Sequence, residues 1–145
     1  KYTGSDGIKR NTAFNGNFVY NALVGKEFEI RNNATLVFDV KMTWAGGKRY
    51  TPIDIEASQN NENPFGTEYI EELAYSEQFP DYFKADVKIG FRLDGKKVSQ
   101  LWEFYIENVT NHKNPLYQSY SKSKNEIVTV YQLGFFPLFN YKIYF

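Results

Sequence analysis

The sequence contains no cysteine and only one methionine among its 145 residues. Without cysteine the chain can form neither disulfide bonds nor thiolate metal sites. The fold must therefore be held by packing, hydrogen bonds and ion pairs. We predict that it carries no metal and no cofactor.

The sequence also lacks an excess of charge of either sign. Seventeen lysines and arginines balance seventeen aspartates and glutamates, and no long block of one sign occurs. A protein that attracts nucleic acid electrostatically normally carries a basic patch. We therefore predict no nucleic-acid partner.

No apolar run is long enough for a membrane-spanning helix. The longest uncharged run, residues 127–141, contains Gly134 and Pro137 and is shorter than the roughly 18 residues that such a helix needs. Strands that cross a membrane escape this test, because only alternate residues face lipid. The opening stretch KYTGSDGIKRN is typical of a loop, without an initiator methionine or a signal peptide. We expect the chain to be a piece of a longer protein.

Aromatic side chains are abundant and follow an alternating pattern. Phenylalanine, tyrosine and tryptophan together make up 19% of the residues, and such rings are usually buried or placed at an interface. Apolar residues alternate with polar ones in five segments, which is the pattern of two-faced β-strands. Strands are predicted at residues 14–28, 35–44, 82–93, 102–107 and 135–145, and no helix is predicted.

The connections and the two strand faces indicate a membrane barrel. The tight turns RNNA and DGKK each join two strands, and long segments make the other connections. Phe135 and Phe145 stand ten residues apart, roughly 25 Å along a strand tilted by about 40°, which is the height of a lipid-facing band. The opposite faces carry charged residues that we expect to pair across strands in a lumen: Asp39, Lys41, Lys84, Asp86, Lys88, Glu103 and Glu107. We therefore predict an all-β fold of antiparallel transmembrane β-barrel strands, with short periplasmic turns and long extracellular loops.

Four segments carry a resemblance to a known family: WAGGKRYTPIDIEAS, AYSEQFPDYFKADVKIGFR, IENVTNHKNPLYQSY and VYQLGFFPLFNYKIYF. Taken together, from about Phe14 to Phe145, they resemble the C-terminal part of TonB-dependent outer-membrane receptors, in the branch with a carboxypeptidase-like regulatory domain at the N-terminus. The resemblance implies that residues 1–145 are the last five or so strands of a barrel of about 22 strands. The plug domain and the earlier strands would then be absent from this chain.

The resemblance also implies a function and partners. Such receptors lie in the outer membrane of Gram-negative bacteria, where they import scarce or bulky nutrients and are not enzymes. The implied partners are outer-membrane lipid, the remainder of the barrel and its plug, the TonB system through the missing N-terminal part, and the barrel assembly machinery. The last strand is similar to the signal that this machinery recognises, with the residues Phe139, Tyr141, Ile143 and Phe145.

Two further sets of residues follow from this interpretation. The residues predicted to face lipid are Phe18, Val40, Val87, Phe104 and Ile143. The candidate ligand-contacting residues of the long loops are Arg49, Tyr50, Asp54, Tyr117 and Tyr120. Tyrosine, arginine and carboxamides suit polar ligands such as glycans, peptides or metal chelates, although loops that merely shield the barrel mouth would have the same composition.

The main alternative is a stand-alone soluble β-sandwich that binds carbohydrate, in which tyrosine and tryptophan stack on sugar rings. Catalysis is not predicted. The acidic pairs Asp54 with Glu56 and Glu71 with Glu72 could suggest glycoside hydrolysis, but nothing in the sequence fixes their separation. His112, the only histidine, is expected to be a solvated loop residue.

Overall fold

The computed structural model of the chain describes residues 1–63 and 65–145. In this part of the chain the strands and helices follow one another in the order β1 (Tyr2–Thr3), β2 (Lys9–Arg10), β3 (Val19–Arg31), β4 (Ala34–Ala45), β5 (Arg49–Tyr50), β6 (Ile53–Asp54), α1 (Ile55–Asn60), β7 (Glu68–Tyr69), a 3₁₀ turn (Glu71–Leu73), β8 (Glu77–Gln78), β9 (Tyr82–Asp94), β10 (Ser99–Glu107), β11 (Pro115–Ser121), β12 (Glu126–Tyr131) and β13 (Phe136–Tyr144). The chain is therefore mainly β-structure, as the alternating pattern predicts.

The chain divides into two compact units. The unit that we call the sheet unit comprises Tyr20–Trp44, Phe83–His112 and Leu133–Phe145. The other, which we call the loop unit, comprises Lys1–Val19, Ala45–Tyr82 and Lys113–Gln132. The five long strands thus belong to one unit, and the long connections between them belong to the other.

The sheet unit contains one five-stranded sheet in the order β13-β10-β9-β4-β3. The antiparallel register places Trp102 opposite Phe91 on one side and opposite Tyr141 on the other. The five strands that the sequence predicts are the five strands of this sheet, with bounds that agree within a few residues except at the first strand. That strand begins at Val19 instead of Phe14, because Asn17 has a left-handed backbone (φ 73°) that interrupts an extended chain.

In a water-soluble sheet packed on a core, the apolar face is buried and the polar face is exposed. The two faces of this sheet show the reverse. Large apolar side chains on one face are exposed, among them Ile89, Phe104 and Phe139. On the other face Glu103 is only 6% exposed, although it carries a charge. The apolar face is therefore the more accessible one.

Ion pairs connect neighbouring strands on the charged face. Lys84 lies 2.9 Å from Glu107 across β9 and β10, and Lys88 forms an ion pair with Asp39 of β4. The expectation that the charges of this face pair between strands is confirmed for these residues. Such pairs fix the register, because a shift by one residue would bring apolar side chains to this face.

The sheet has two open edges, β3 and β13, and within the described residues no sheet closes on itself. Every residue of β3 is exposed. An open edge presents unpaired N–H and C=O groups, which favour pairing with a further strand.

The loop unit is more ordered than the sequence suggests. The strands β11 and β12 form an antiparallel hairpin, and the pairs β5–β8 and β6–β7 fold the longest connection back on itself. The prediction that the chain has no helix is wrong, since α1 begins after Asp54, whose carboxylate accepts a hydrogen bond from the Ala57 N–H at 2.9 Å. A helix of six residues is too short to show a helical period in the sequence.

The apolar core is small. Among the described residues, the buried apolar side chains are Ala34, Ile53, Phe79 and Tyr120, and the last three belong to the loop unit. No helix in the described ranges has the length and apolar character needed to cross a membrane.

Candidate ligand-binding cleft

A cleft of about 480 Å³ lies within the loop unit. Its lining includes the tyrosines Tyr2, Tyr50, Tyr69, Tyr75 and Tyr117. Arg49, Lys48, Glu71 and Gln118 add polar groups. Three of the five predicted ligand-contacting residues, Arg49, Tyr50 and Tyr117, therefore line one cleft, although Tyr117 is distant from the other two in the sequence.

Tyr50 is fixed in orientation by the ring beneath it. Its ring centroid lies 4.2 Å from that of Phe79, with 22° between the planes. Phe79 is buried, and β5 pairs with β8 just before it. A ring held in this way loses little conformational freedom when a ligand stacks against it.

Arg49 is also fixed, by hydrogen bonds to the backbone. Its Nε donates to the Asn15 carbonyl at 3.3 Å, and its Nη1 donates to the Ser76 carbonyl at 3.1 Å. The guanidinium thus ties two segments of the loop unit together at the cleft. Two of the guanidinium nitrogens therefore already donate hydrogen bonds to the protein itself.

Tyr75 has an unusual backbone conformation. Its φ is 57°, in the left-handed region that bulky residues rarely adopt. The Tyr75 N–H donates to Thr51 Oγ1 at 3.2 Å, and the side chain lines the cleft. Strained residues of this kind cluster at ligand sites in proteins.

The other two predicted ligand residues do not line this cleft. Asp54 caps α1, and the Tyr120 side chain is buried, with its hydroxyl hydrogen-bonded to Asn125. The Tyr120 N–H also donates to Thr67 Oγ1 at 3.1 Å. Both residues therefore hold the loop unit together.

A second cleft, of about 630 Å³, is lined by a close crossing of two glycine segments in the loop unit. A Cβ atom built on Gly46 would lie 1.6 Å from the Gly16 carbonyl oxygen, and one built on Gly16 would lie 2.3 Å from that of Gly46. Only glycine fits at either position. The sequence pattern of the AGGKRY stretch indicates the end of a strand and gives no sign of this crossing.

The carboxylates that the structure describes in the loop unit are not grouped as metal ligands would be. Glu71 and Glu72 line a small cleft with Asp6 and Arg10. A hydrogen bond from the Ile8 N–H and the nearby Arg10 guanidinium, 2.6 Å away, hold the pKa of Asp6 below its usual value. Within residues 1–63 and 65–145 no group of three histidine, aspartate or glutamate side chains could hold a metal ion.

Asn108 is a structural residue of the sheet unit that the sequence pattern does not reveal. Its side chain is fully buried, donates to the His112 and Leu133 carbonyls, and accepts from the His112 N–H at 3.0 Å. Its φ is 48°, which asparagine tolerates better than most residues. The side chain therefore joins the end of β10 to the segment that leads into β13. His112 itself is exposed.

The residues predicted to face lipid lie mostly on one face of the sheet. Val87 and Phe104 share the apolar face through the pairs Val87–Ile106 and Ile89–Phe104. Ile143 pairs with Gln100 on that same face. Val40 is on the face opposite to that of its charged neighbour Asp39, because successive strand residues alternate between the two faces. Phe18 precedes β3 and belongs to the loop unit. Contact with lipid stays a prediction for all five.

Three of the four residues of the predicted assembly signal lie in β13. Phe139 and Tyr141 pair with Phe104 and Trp102 and share the apolar face with Ile143. Phe145 follows the strand and is exposed. Recognition by an assembly machinery stays a prediction.

Comparison of the chain with protein-family models, curated proteins and solved structures gives no match. The family resemblance of the four sequence segments therefore stays a prediction. The chain has an all-β architecture with antiparallel sheets.

Proposed function

We propose that this chain is a segment of a TonB-dependent outer-membrane receptor, in which the sheet unit forms part of a transmembrane barrel. The observation that carries the proposal is the exposure of the five-stranded sheet. Its apolar face is accessible, while its charged face carries ion pairs and the nearly buried Glu103. Lipid on one side and a polar interior on the other would satisfy both faces.

Aromatic rows at both ends of the apolar face support the same proposal. Trp102 stacks between Phe91 and Tyr141, with centroids 5.8 and 5.5 Å away. Tyr20 and Trp44 form a second pair at the opposite end of the strands, at 6.0 Å. Aromatic girdles occupy the two membrane–water interfaces of known barrels.

The open edges support a larger assembly. Lipid cannot satisfy the unpaired backbone groups of an exposed edge strand. In the proposed receptor β3 and β13 pair with further barrel strands. The assembly machinery recognises the last strand through Phe139, Tyr141, Ile143 and Phe145. Transport is then nutrient import driven through the TonB system, and no catalytic role is proposed.

The experiment is a detergent gel of the native membrane fraction, with unboiled and boiled samples compared and the intact mass measured on the species that contains this sequence. We expect a heat-modifiable species in the outer membrane that is heavier than the 17.0 kDa of this chain. A soluble species of that mass whose migration is unchanged by boiling would refute the proposal.

The second candidate function is a soluble carbohydrate-binding module. The tyrosine-lined cleft favours it, since tyrosine rings stack on sugar rings in such modules. The exposed apolar sheet face disfavours it, because apolar patches this extensive cause association in water. A monodisperse protein in detergent-free buffer would favour the module.

A further inference from the structure

The second cleft of the loop unit, which we call the strand-end cleft, has the character of a lipid site. We propose that it binds an acyl chain of a membrane lipid whose head group carries a phosphate. The inference rests on the proposed function, because it needs a membrane next to the loop unit. It goes further than lipid contact of the sheet, since it assigns one class of lipid to one site outside the sheet unit.

The first argument is the position of the cleft along the chain. Its lining contains the first residue of β3, the last of β4 and the first of β9, which are Val19, Ala45 and Tyr82. All three are strand ends on the side of the long connections, away from the tight turns of the sheet. Barrel strands leave the bilayer at such ends. In the proposed receptor a lipid of that leaflet can therefore reach the cleft.

The second argument is the apolar character of the lining. The apolar lining residues include Phe14, Phe18, Val19, Phe79 and Pro80. Phe14 and Val19 are exposed although both line the cleft. Contact with the CH₂ groups of an acyl chain would remove this apolar surface from water. The volume of about 630 Å³ is in the range of small-molecule pockets.

The third argument is charge. Lys48 is the only charged residue that lines the cleft in the described part of the chain. Its ammonium lies 5.3 Å from the centroid of the Phe14 ring, and no described carboxylate pairs with it. A single uncompensated cation beside apolar side chains favours a lipid with an anionic head group. The exposed Asn17 also lines the cleft, and its carboxamide can donate to a phosphate oxygen.

The fourth argument is that the backbone holds the cleft open. The crossing of Gly16 and Gly46 forms part of the lining. Beside it the Gly46 N–H donates to the Phe18 carbonyl at 3.0 Å, and the Arg49 N–H donates to the Ala13 carbonyl at 2.8 Å. A preformed cleft can take up a flexible acyl chain without having to order its own backbone.

The test is photo-cross-linking of the purified full-length protein in phosphatidylcholine nanodiscs. The anionic probe is a phosphatidate with a photoactivatable diazirine at the end of one acyl chain, and the comparison probe is the diacylglycerol with the same chain. Mass spectrometry locates the labelled peptides. We expect the phosphatidate to label the segments 14–19, 45–48 and 79–82 about threefold or more above the diacylglycerol, because only the phosphatidate is attracted by the lysine. Equal labelling by the two probes would overturn the assignment of an anionic lipid.

Lys48→Gln tests the charge. It should lower phosphatidate labelling of the cleft about fivefold, which is the contribution of one lysine near a membrane surface, and should leave diacylglycerol labelling unchanged. Lys113→Gln is the matched control. Lys113 also lies near an aromatic ring of the loop unit, 5.9 Å from the centroid of Tyr131, but does not line the cleft.

Phe14→Ala tests the apolar lining and should lower labelling of the cleft by both probes. Phe65→Ala is its control, since Phe65 is an exposed phenylalanine of the loop unit outside the cleft. Thermal melting of each variant separates loss of labelling from loss of folding. Equal labelling of the cleft in the wild type, Lys48→Gln and Phe14→Ala, or labelling spread evenly along the chain, would overturn the inference.

The proposed function and this inference can fail separately. A heat-modifiable membrane protein whose cleft is not labelled would refute the inference and leave the receptor standing. A protein that stays in the soluble fraction and does not enter nanodiscs would refute the receptor. The cleft is then tested in water with a photoactivatable octyl phosphate: labelling of the same segments would support the assignment, and absence of labelling would overturn it.

Discussion

The Lys142 Nζ atom lies 2.8 Å from Glu103 Oε2 across β13 and β10, on the opposite side of the sheet from the pair Phe104–Phe139. Glu103 also accepts a hydrogen bond from Asn140 at 3.1 Å. A carboxylate with little exposure is thus satisfied by neighbours on its own face, while large apolar rings stand exposed on the other. This arrangement suits a sheet with lipid on its apolar side.

An arginine on the apolar face is expected to block membrane assembly. Val87→Arg should cost about 2–4 kcal/mol if the side chain meets the middle of the bilayer. Thr43→Arg is the matched control, because Thr43 lies on the polar face, where its hydroxyl donates to Asn21 at 2.9 Å. The readout is the fraction of heat-modifiable protein in the outer membrane, and equal assembly of the two variants would contradict the assignment of faces.

Loss of an ion-paired lysine should lower stability without blocking assembly. Lys88 pairs with Asp39 and lies 4.0 Å from Glu103, so Lys88→Ala leaves these carboxylates less compensated. We expect a loss of about 1–2 kcal/mol in unfolding free energy, measured by urea titration in detergent micelles. Lys97→Ala, in the exposed turn before β10, should change it by less than about 0.5 kcal/mol; equal effects would argue against the pairing.

Asn108→Ala should destabilise the connection between β10 and β13. The variant would leave the His112 N–H and two carbonyls without their partner, at about 2–3 kcal/mol. Asn33→Ala, at the exposed turn between β3 and β4, is the control. Urea unfolding should show a clear loss of unfolding free energy for Asn108→Ala and little change for Asn33→Ala. A loss for Asn33→Ala as large as that for Asn108→Ala would contradict this role.

Gly46→Ala should prevent correct folding of the loop unit. The new methyl group would overlap the Gly16 carbonyl oxygen, and overpacking against backbone should cost about 3 kcal/mol or more. Gly90→Ala is the control, since its nearest contact would be Val37 Cβ at 3.4 Å. Limited proteolysis should cleave the loop unit only in the Gly46 variant; resistance of both would show that the crossing tolerates a side chain.

The sequence predicts the sheet well because the sheet has a simple period. Apolar residues at every second position are enough to place Val87, Phe104 and Ile143 on one face. The turns RNNA and DGKK predict the neighbours β3–β4 and β9–β10, whereas the pairings β4–β9 and β10–β13 join strands separated by long connections. The predicted start of β3 is wrong because alternation continues through Phe14, while the Asn17 backbone interrupts the strand.

The loop unit can be predicted only in part. Composition draws attention to Arg49, Tyr50 and Tyr117, but only the tertiary structure shows that residues of β5 and β11 line one cleft. No local pattern marks the other cleft tyrosines, so the sequence alone does not identify them. Asp54 and Tyr120 have the residue types of a binding site, yet one caps a helix and the other is buried.

The central claim, that the apolar face meets lipid and the charged face does not, can be measured at two adjacent residues. The chain contains no cysteine. In the full-length protein, with any cysteine outside these residues replaced by serine, Val40→Cys and Lys41→Cys therefore give single sites for spin labels after reconstitution in bilayers. The labels should differ, with that at residue 40 more accessible to oxygen dissolved in lipid and that at residue 41 more accessible to a water-soluble nickel chelate. Equal accessibility of residue 40 and residue 41 to the nickel chelate would contradict the account.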